Sequence, residues 1–134
     1  MRASDIMSRN VLTIDENKPL REARQIMVEE DITALPVTSS DGDLVGIITQ
    51  TDFFQLDGLL ASKIIREHWM VDDLLVKDLM VKNTVTLPET ANLSELSRIM
   101  VDNHIHRVVI VKDTQITGLI TAMDVLKAVV LSVS

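Results

Sequence analysis

Apolar residues along this chain follow two rhythms, one helical and one extended, and both are written twice. Leu20, Ala23 and Met27 recur at i, i+3 and i+7, as do Leu93, Leu96 and Met100, so each stretch predicts a helix with one apolar stripe. Met27 and Met100 at this spacing are core residues. Pro19 suits the first turn of the earlier helix, and Asn92 with Glu95 three residues on reads as a capping box opening the later one. Val11 to Thr13 and Val85 to Leu87 are short β-prone runs. Two hairpins follow their helices: Ala34 to Thr38 with Leu44 to Thr49, and Val108 to Lys112 with Ile116 to Thr121. A last helix begins near Asp52 and again near Asp124. The predicted order is β-α-β-β-α, twice.

The duplication is also legible residue by residue. Asp5-Ile6-Met7 returns as Asp78-Leu79-Met80, an offset of 73 from Met7 to Met80 that also carries Thr13 onto Thr86 and Ile26-Met27-Val28 onto Ile99-Met100-Val101. Gly46 to Asp52 returns as Gly118 to Asp124 at an offset of 72. One residue has gone from the polar turn where Ser39-Ser40-Asp41-Gly42 faces Lys112-Asp113-Thr114-Gln115, where a change of length costs least. Leu59 to Leu75 holds no glycine or proline, and its i,i+4 apolar pairs, Leu60 with Ile64 and Ile65 with Trp69, predict a helical connection. The expected division is 1–60 for the first repeat, 61–77 for the connection and 78–134 for the second.

Composition narrows the function. A chain of 134 residues, 46% hydrophobic and 25% charged, supports a packed core. It has no cysteine, which removes thiolate chemistry and cysteine-based metal sites and fits a reducing compartment. A net charge of −7 and three aromatic residues argue against nucleic acid as a partner. The start carries no signal-like apolar run, and no stretch approaches the ~18 apolar residues of a membrane span, so the expectation is a soluble cytoplasmic protein with no membrane partner.

Thr49-x-x-Asp52 and Thr121-x-x-Asp124 each place a threonine and an acid at a helix start, which is a capping box. The same place offers free backbone N–H groups to an anion and a carboxylate to a sugar hydroxyl pair, and the two roles are compatible. His104 and His106 on one strand would share a face, yet two histidines without a third ligand nearby read as polar edge residues, so no metal site is assigned. Arg9 and Lys82, at matching positions, read as solvated surface. No nucleophile with a base in reach stands out, so the chain is not read as an enzyme.

The β-α-β-β-α repeat ending in Gly-apolar-apolar-Thr-x-x-Asp resembles the cystathionine β-synthase (CBS) domain, which occurs in tandem as a Bateman module. Its carriers are Asp5-Ile6-Met7 and Asp78-Leu79-Met80, Leu35-Pro36-Val37, His106 to Val111, Gly46 to Asp52 and Gly118 to Asp124, and together they cover nearly the whole chain. The second repeat is similar to the nucleotide-sensing γ subunit of AMP-activated protein kinase. The resemblance implies an α/β (α+β) fold, two pseudo-symmetric repeats packed through their sheets, with clefts for AMP, ADP, ATP or S-adenosylmethionine. It implies a regulatory module that needs no cofactor, pairs into a homodimer and signals to an effector protein.

By that resemblance Asp52 and Asp124 hold ribose, Thr49 and Thr121 lie near ribose or phosphate, and His106 and Arg107 face phosphate, for which a guanidinium supplies a planar donor fork. Thr13, Leu35, Pro36, Thr86 and Val108 would surround the adenine. Thr33 and Ala34 stand where the second repeat has His106 and Arg107, so one cleft is expected to suit phosphate and the other to be weaker. That departure favours the alternative, a structural dimerisation module with vestigial clefts. Phe53-Phe54 and Leu126 to Leu131 present apolar helix surface that dimerisation would cover.

Overall fold

The computed structural model describes residues 1–60 and 74–133. The helix expected across the connection lies, for 61–73, outside the described residues. The elements are α1 (Ala3–Ile6), β1 (Ile14–Asp15), α2 (Leu20–Glu29), β2 (Ala34–Thr38), β3 (Leu44–Thr49), α3 (Gln50–Leu60), α4 (Val76–Leu79), β4 (Thr86–Pro88), α5 (Leu93–Asn103), β5 (Arg107–Lys112), β6 (Gln115–Thr121) and α6 (Ala122–Val133). The fold is mixed α/β with two three-stranded sheets, ordered β1-β2-β3 and β4-β5-β6, each with a parallel first pair and an antiparallel hairpin.

Both hairpins and both amphipathic helices stand where the periodicity puts them. The first strand of each repeat does not. Val11 to Thr13 precedes β1, which is Ile14–Asp15, because Ile14 is the residue that enters the core and pairs with Val37. In the second repeat the strand slides one place, to Thr86–Pro88. Each hairpin has a register irregularity at the same step, Val37/Thr38 and Ile110/Val111, so the missing residue comes out of the turn.

Helix ends are set by local chemistry. Asn92 Oδ1 accepts the Glu95 N–H at 2.8 Å and opens α5, while Pro19 with φ −59° precedes α2. Past their last turns, Asp31 (φ 52°) and His104 (φ 54°) adopt the left-handed conformation at equivalent positions. That turn lets Ile32 N–H and Ile105 N–H reach back to the carbonyls of Met27 and Met100, both at 3.0 Å.

The chain forms two compact units, and these do not follow the sequence repeats: one is Leu12–Thr84, the other Met1–Val11 with Val85–Ser134. Each unit therefore takes its opening Asp-x-Met turn from the other repeat. In Leu12–Thr84, Val81 forms a two-bond bridge with Ile47 of β3, at 2.8 and 2.9 Å. In the other unit Ser8 bridges Leu119 of β6 at 2.9 and 3.0 Å, and Ala3 N–H donates to the Ala91 carbonyl.

Two glycines record how closely these turns approach. A Cβ on Gly46 would stand 2.8 Å from both Met80 Sδ and the Val81 carbonyl oxygen, and one on Gly118 would stand 2.7 Å from Met7 Cγ. The glycine of Gly-apolar-apolar-Thr and the methionine of Asp-x-Met are thus packing partners within each unit.

Each unit has its own core. Leu12–Thr84 buries Ile14, Leu20, Met27, Leu35, Val37, Ile48 and Phe53 together; the other buries Met7, Leu96, Met100, Val108, Ile110, Ile120 and Val125. Among the described residues no helix is long and apolar enough to cross a membrane.

Candidate nucleotide-binding residues

The strand-to-helix corner at β3 and α3 is held by a complete reciprocal cap. Thr49 N–H and Thr49 Oγ1 donate to Asp52 Oδ2 at 2.8 and 3.0 Å, and Asp52 N–H donates back to Thr49 Oγ1 at 3.3 Å. The corner at β6 and α6 repeats the two backbone arms: Thr121 N–H to Asp124 Oδ2 at 2.9 Å, and Asp124 N–H to Thr121 Oγ1 at 3.2 Å. In both, one carboxylate oxygen is taken up by the cap. Oδ1 of each aspartate makes no hydrogen bond among the described residues and remains an acceptor.

The strand leading into each hairpin closes the corner from the other side. Gln50 N–H donates to the Thr33 carbonyl at 2.9 Å and Ala122 N–H to the His106 carbonyl at 2.8 Å. Thr33 and His106 thus stand beside the helix mouths, both exposed.

Strand alternation sorts the other candidates by face. In β5 and β6, Val108, Ile110 and Ile120 point into the helix-covered core, so Arg107, Val109, Leu119 and Thr121 point the other way. Arg107 lies directly opposite Thr121, and Thr86 pairs in register with Val109. Thr86, Arg107 and Thr121 therefore share one face of the β4-β5-β6 sheet, with Asp124 at its corner. Arg107 is half-buried, and desolvation pulls its guanidinium below the usual arginine value.

In Leu12–Thr84 the residue opposite Thr49 is Ala34, on the face away from Leu35, Val37 and Ile48. Pro36 shares the Ala34 face and is fully buried. Thr13 is exposed just before β1. Leu35 and Val108 are fully buried in their respective cores, so their side chains are spent on packing, and only their strands' backbone is available to a ligand. A cavity of about 370 Å³ in this unit reaches Thr33 but none of Thr13, Leu35, Pro36, Thr49 or Asp52.

The two histidines do not share a strand face: His104 closes α5, and His106 precedes β5. Among the described residues no group of three His, Cys, Asp or Glu side chains could hold a metal ion. Thr84, two residues before Thr86, was not singled out by sequence. Its Oγ1 is buried without a hydrogen-bond partner among the described residues, an arrangement that costs about 1–3 kcal/mol until a partner is supplied. No motif marks it, since Val11 stands at the equivalent place.

Comparison with known proteins agrees with this architecture. Residues 3–57 and 76–131 each match the family model of the CBS domain. The crystal structure of CBSX2 in complex with AMP superposes with a TM-score of 0.84, at 24% identity over 99% of this chain and 98% of that one. The CBS domain pair of protein MJ0100, in complex with 5′-methylthioadenosine and S-adenosyl-L-methionine, superposes at 0.79, with 23% identity over 98% of each chain. Inosine-5′-monophosphate dehydrogenase from Thermoplasma acidophilum is 31% identical over 126 residues, 93% of this chain but 23% of that protein. The chain spans less than half the length of the first curated relatives it matches.

Proposed function

Since the chain belongs to the CBS domain family and carries two such domains in tandem, we propose that it is a non-catalytic regulatory module that senses an adenine nucleotide. The candidates are AMP, ADP, ATP and S-adenosylmethionine, and the module signals to an effector, in the same polypeptide or a separate one. The observation that carries this reading is the corner at Thr121 and Asp124: a capped helix mouth whose aspartate keeps one oxygen unbonded among the described residues, on a sheet face that also holds Thr86 and the half-buried Arg107. Asp124 holds ribose hydroxyls, Arg107 and His106 meet phosphate, and Thr86 and the Val108 backbone lie by the base. AMP in CBSX2, and 5′-methylthioadenosine and S-adenosyl-L-methionine in MJ0100, support the ligand class.

The corner at Thr49 and Asp52, with Thr13, Thr33, Leu35 and Pro36 around it, is the weaker site, because Ala34 offers no charge where Arg107 stands. The module works as a homodimer in the cytoplasm, a reducing setting that suits a chain without cysteine.

Titration calorimetry with the four ligands tests the reading. Binding of at least one, with a thermal stabilisation of about 2.7 kcal/mol at a hundredfold excess over Kd, is expected. No heat and no stabilisation from any of them would overturn it in favour of a structural module whose sites are vestigial, the reading that Thr33 and Ala34 favour.

A further inference from the structure

Residues 2–8 clasp the two outer strands of the β4-β5-β6 sheet, all within one compact unit. At one end Ala3 N–H donates to the Ala91 carbonyl at 2.7 Å and Ser4 N–H to the Glu89 carbonyl at 3.1 Å, so the segment grips the turn that follows β4. At the other, Ser8 and Leu119 exchange both of their backbone bonds, at 2.9 and 3.0 Å, so it grips the outer edge of β6. Between the two grips, Ala3 and Met7 are buried in the same core as Ala91, Ile120 and Val125, and α1 packs against both β6 and α6.

This strap meets the elements of the proposed site on both sides. Thr86 stands on β4, just before the gripped turn, and Asp124 stands on α6. Leu119 precedes Thr121 by two residues, about 7 Å along the strand. The pairing of Ser8 with Leu119 is antiparallel, so the strap runs back into α1 as β6 runs on to Thr121. Met7 fixes how closely they approach, since its Cγ lies 2.7 Å from where a Cβ on Gly118 would stand. Left to itself the strap has little order: α1 is four residues long, far below the ~12–15 at which an isolated helix becomes marginal, so its docking is an equilibrium set by these contacts.

Resting on the nucleotide reading above and deepening it, we infer that strap docking and nucleotide binding are coupled, and that residues 2–8 are the element through which the Thr121 and Asp124 site is read. A nucleotide spanning Thr86 and Asp124 holds β4 and β6 at one separation, and the docked strap holds the same two strands at that separation. Each therefore favours the other, by the same factor in both directions. The other unit supplies the internal contrast: its strap is residues 74–81, with Val81 bridged to Ile47, and it answers to the weaker corner.

Amide hydrogen exchange of the full chain tests this, with and without a saturating amount of each of AMP, ADP, ATP and S-adenosylmethionine that gives calorimetric heat. Exchange at Ser8 and Leu119 is expected to slow about tenfold, and at Ile47 and Val81 less than about twofold. Heat with unchanged exchange at Ser8 overturns the coupling and leaves sensing untouched; equal slowing at all four amides is general stabilisation and overturns it too. No heat from any of the four ligands overturns sensing and the coupling together. The reverse direction uses Ser8→Pro, which removes the N–H given to the Leu119 carbonyl, and Val81→Pro, which removes the equivalent N–H given to Ile47. Ser8→Pro should weaken AMP and adenosine alike, about tenfold, because the clasp sets the corner and not the phosphate contact, while Val81→Pro should leave affinity at the stronger site within about twofold. A Ser8→Pro protein that melts lower yet binds like wild type has a strap that is only structural, and it overturns the proposal.

Discussion

Arg107 and Ala34 occupy the same rung of two equivalent hairpins, one opposite Thr121 and the other opposite Thr49. Beyond them the corners are alike: the same threonine, the same aspartate three residues on, and two shared cap bonds that agree within about 0.1 Å, to which the first corner adds Thr49 Oγ1 to Asp52 Oδ2. The two backbone arms of the cap therefore form with either neighbour. What differs is what the corner can recognise. A carboxylate oxygen beside a helix mouth suits a neutral polyol on either side, but only the Arg107 side adds a guanidinium, whose planar donor fork matches phosphate oxygens. On the proposed reading the framework and its selectivity are separable: the corner is present twice, and one strand position, Arg107 against Ala34, would carry the preference for phosphate.

The largest effect is expected at Asp124. Asp124→Ala should abolish nucleotide heat at the stronger site while costing about 1 kcal/mol of stability through loss of the cap. Asp124→Asn, which can still accept from the Thr121 N–H, should keep the melting temperature and lose the binding. If Asp124→Asn binds like wild type, the carboxylate is only a cap, and the two corners lose their functional meaning together. Asp52→Ala should remove far less heat. Equal losses would abolish the ranking of the sites.

Arg107→Ala comes next. A charge-assisted bond to phosphate is worth about 1.5–3 kcal/mol, so AMP affinity should fall about tenfold to a hundredfold while adenosine changes less than about twofold. The ratio is the readout, since a general disturbance of β5 would weaken both ligands alike.

The units can also be separated mechanically, because each borrows its opening turn. Deleting Met1–Val11 removes the Ser8 bridge to Leu119 and the methionine over Gly118, but nothing from Leu12–Thr84. Hydrogen exchange should accelerate sharply at Leu119 and stay nearly unchanged at Ile47, whose partner Val81 remains. Acceleration at both amides would mean that the units do not hold their cores independently.

This exchange was invisible in the sequence, and for a definite reason. Periodicity reports which face of an element is apolar, so both hairpins, α2 and α5 were legible. It does not report which copy of a duplicated core the face enters. Asp5-Ile6-Met7 would fit either sheet by composition, and the choice depends on contacts more than 80 residues away along the chain, such as Ala3 with Ala91 and Ser8 with Leu119. The corners were legible because a Thr-x-x-Asp cap is local chemistry. The cores under Leu35 and Val108 were not: a β-strand names two faces and leaves open which one meets the helices.

Glycine substitutions sharpen the comparison at smaller cost. At Gly46 an added methyl meets a backbone carbonyl, that of Val81, as well as Met80 Sδ; at Gly118 the nearest obstacles all belong to the Met7 side chain. Gly46→Ala should therefore destabilise by about 2–3 kcal/mol and stay unrescued by Met80→Ala, since the carbonyl remains. Gly118→Ala should cost about 1–2 kcal/mol and couple favourably with Met7→Ala in a double-mutant cycle of thermal melts. Rescue at Gly46, or none at Gly118, would contradict the geometry.

The smallest expected effects lie at the matched left-handed residues after α2 and α5. Neither is glycine: Asp31 has φ 52° and His104 has φ 54°. A residue with a Cβ pays up to about 1–2 kcal/mol in this region, and aspartate, whose short polar chain bonds locally, pays less than an imidazole. His104→Gly should therefore raise stability by about 1 kcal/mol and Asp31→Gly by a few tenths, after allowing for the extra freedom glycine gives the unfolded chain. Both variants keep the N–H groups of Ile32 and Ile105 bonded to the Met27 and Met100 carbonyls, so the gain is a backbone effect alone. His104→Asn separates strain from side-chain loss, because asparagine tolerates the same conformation while keeping a polar head. It should recover part of the gain, and a loss of stability in both His104 variants would show that the imidazole contributes more than its backbone costs.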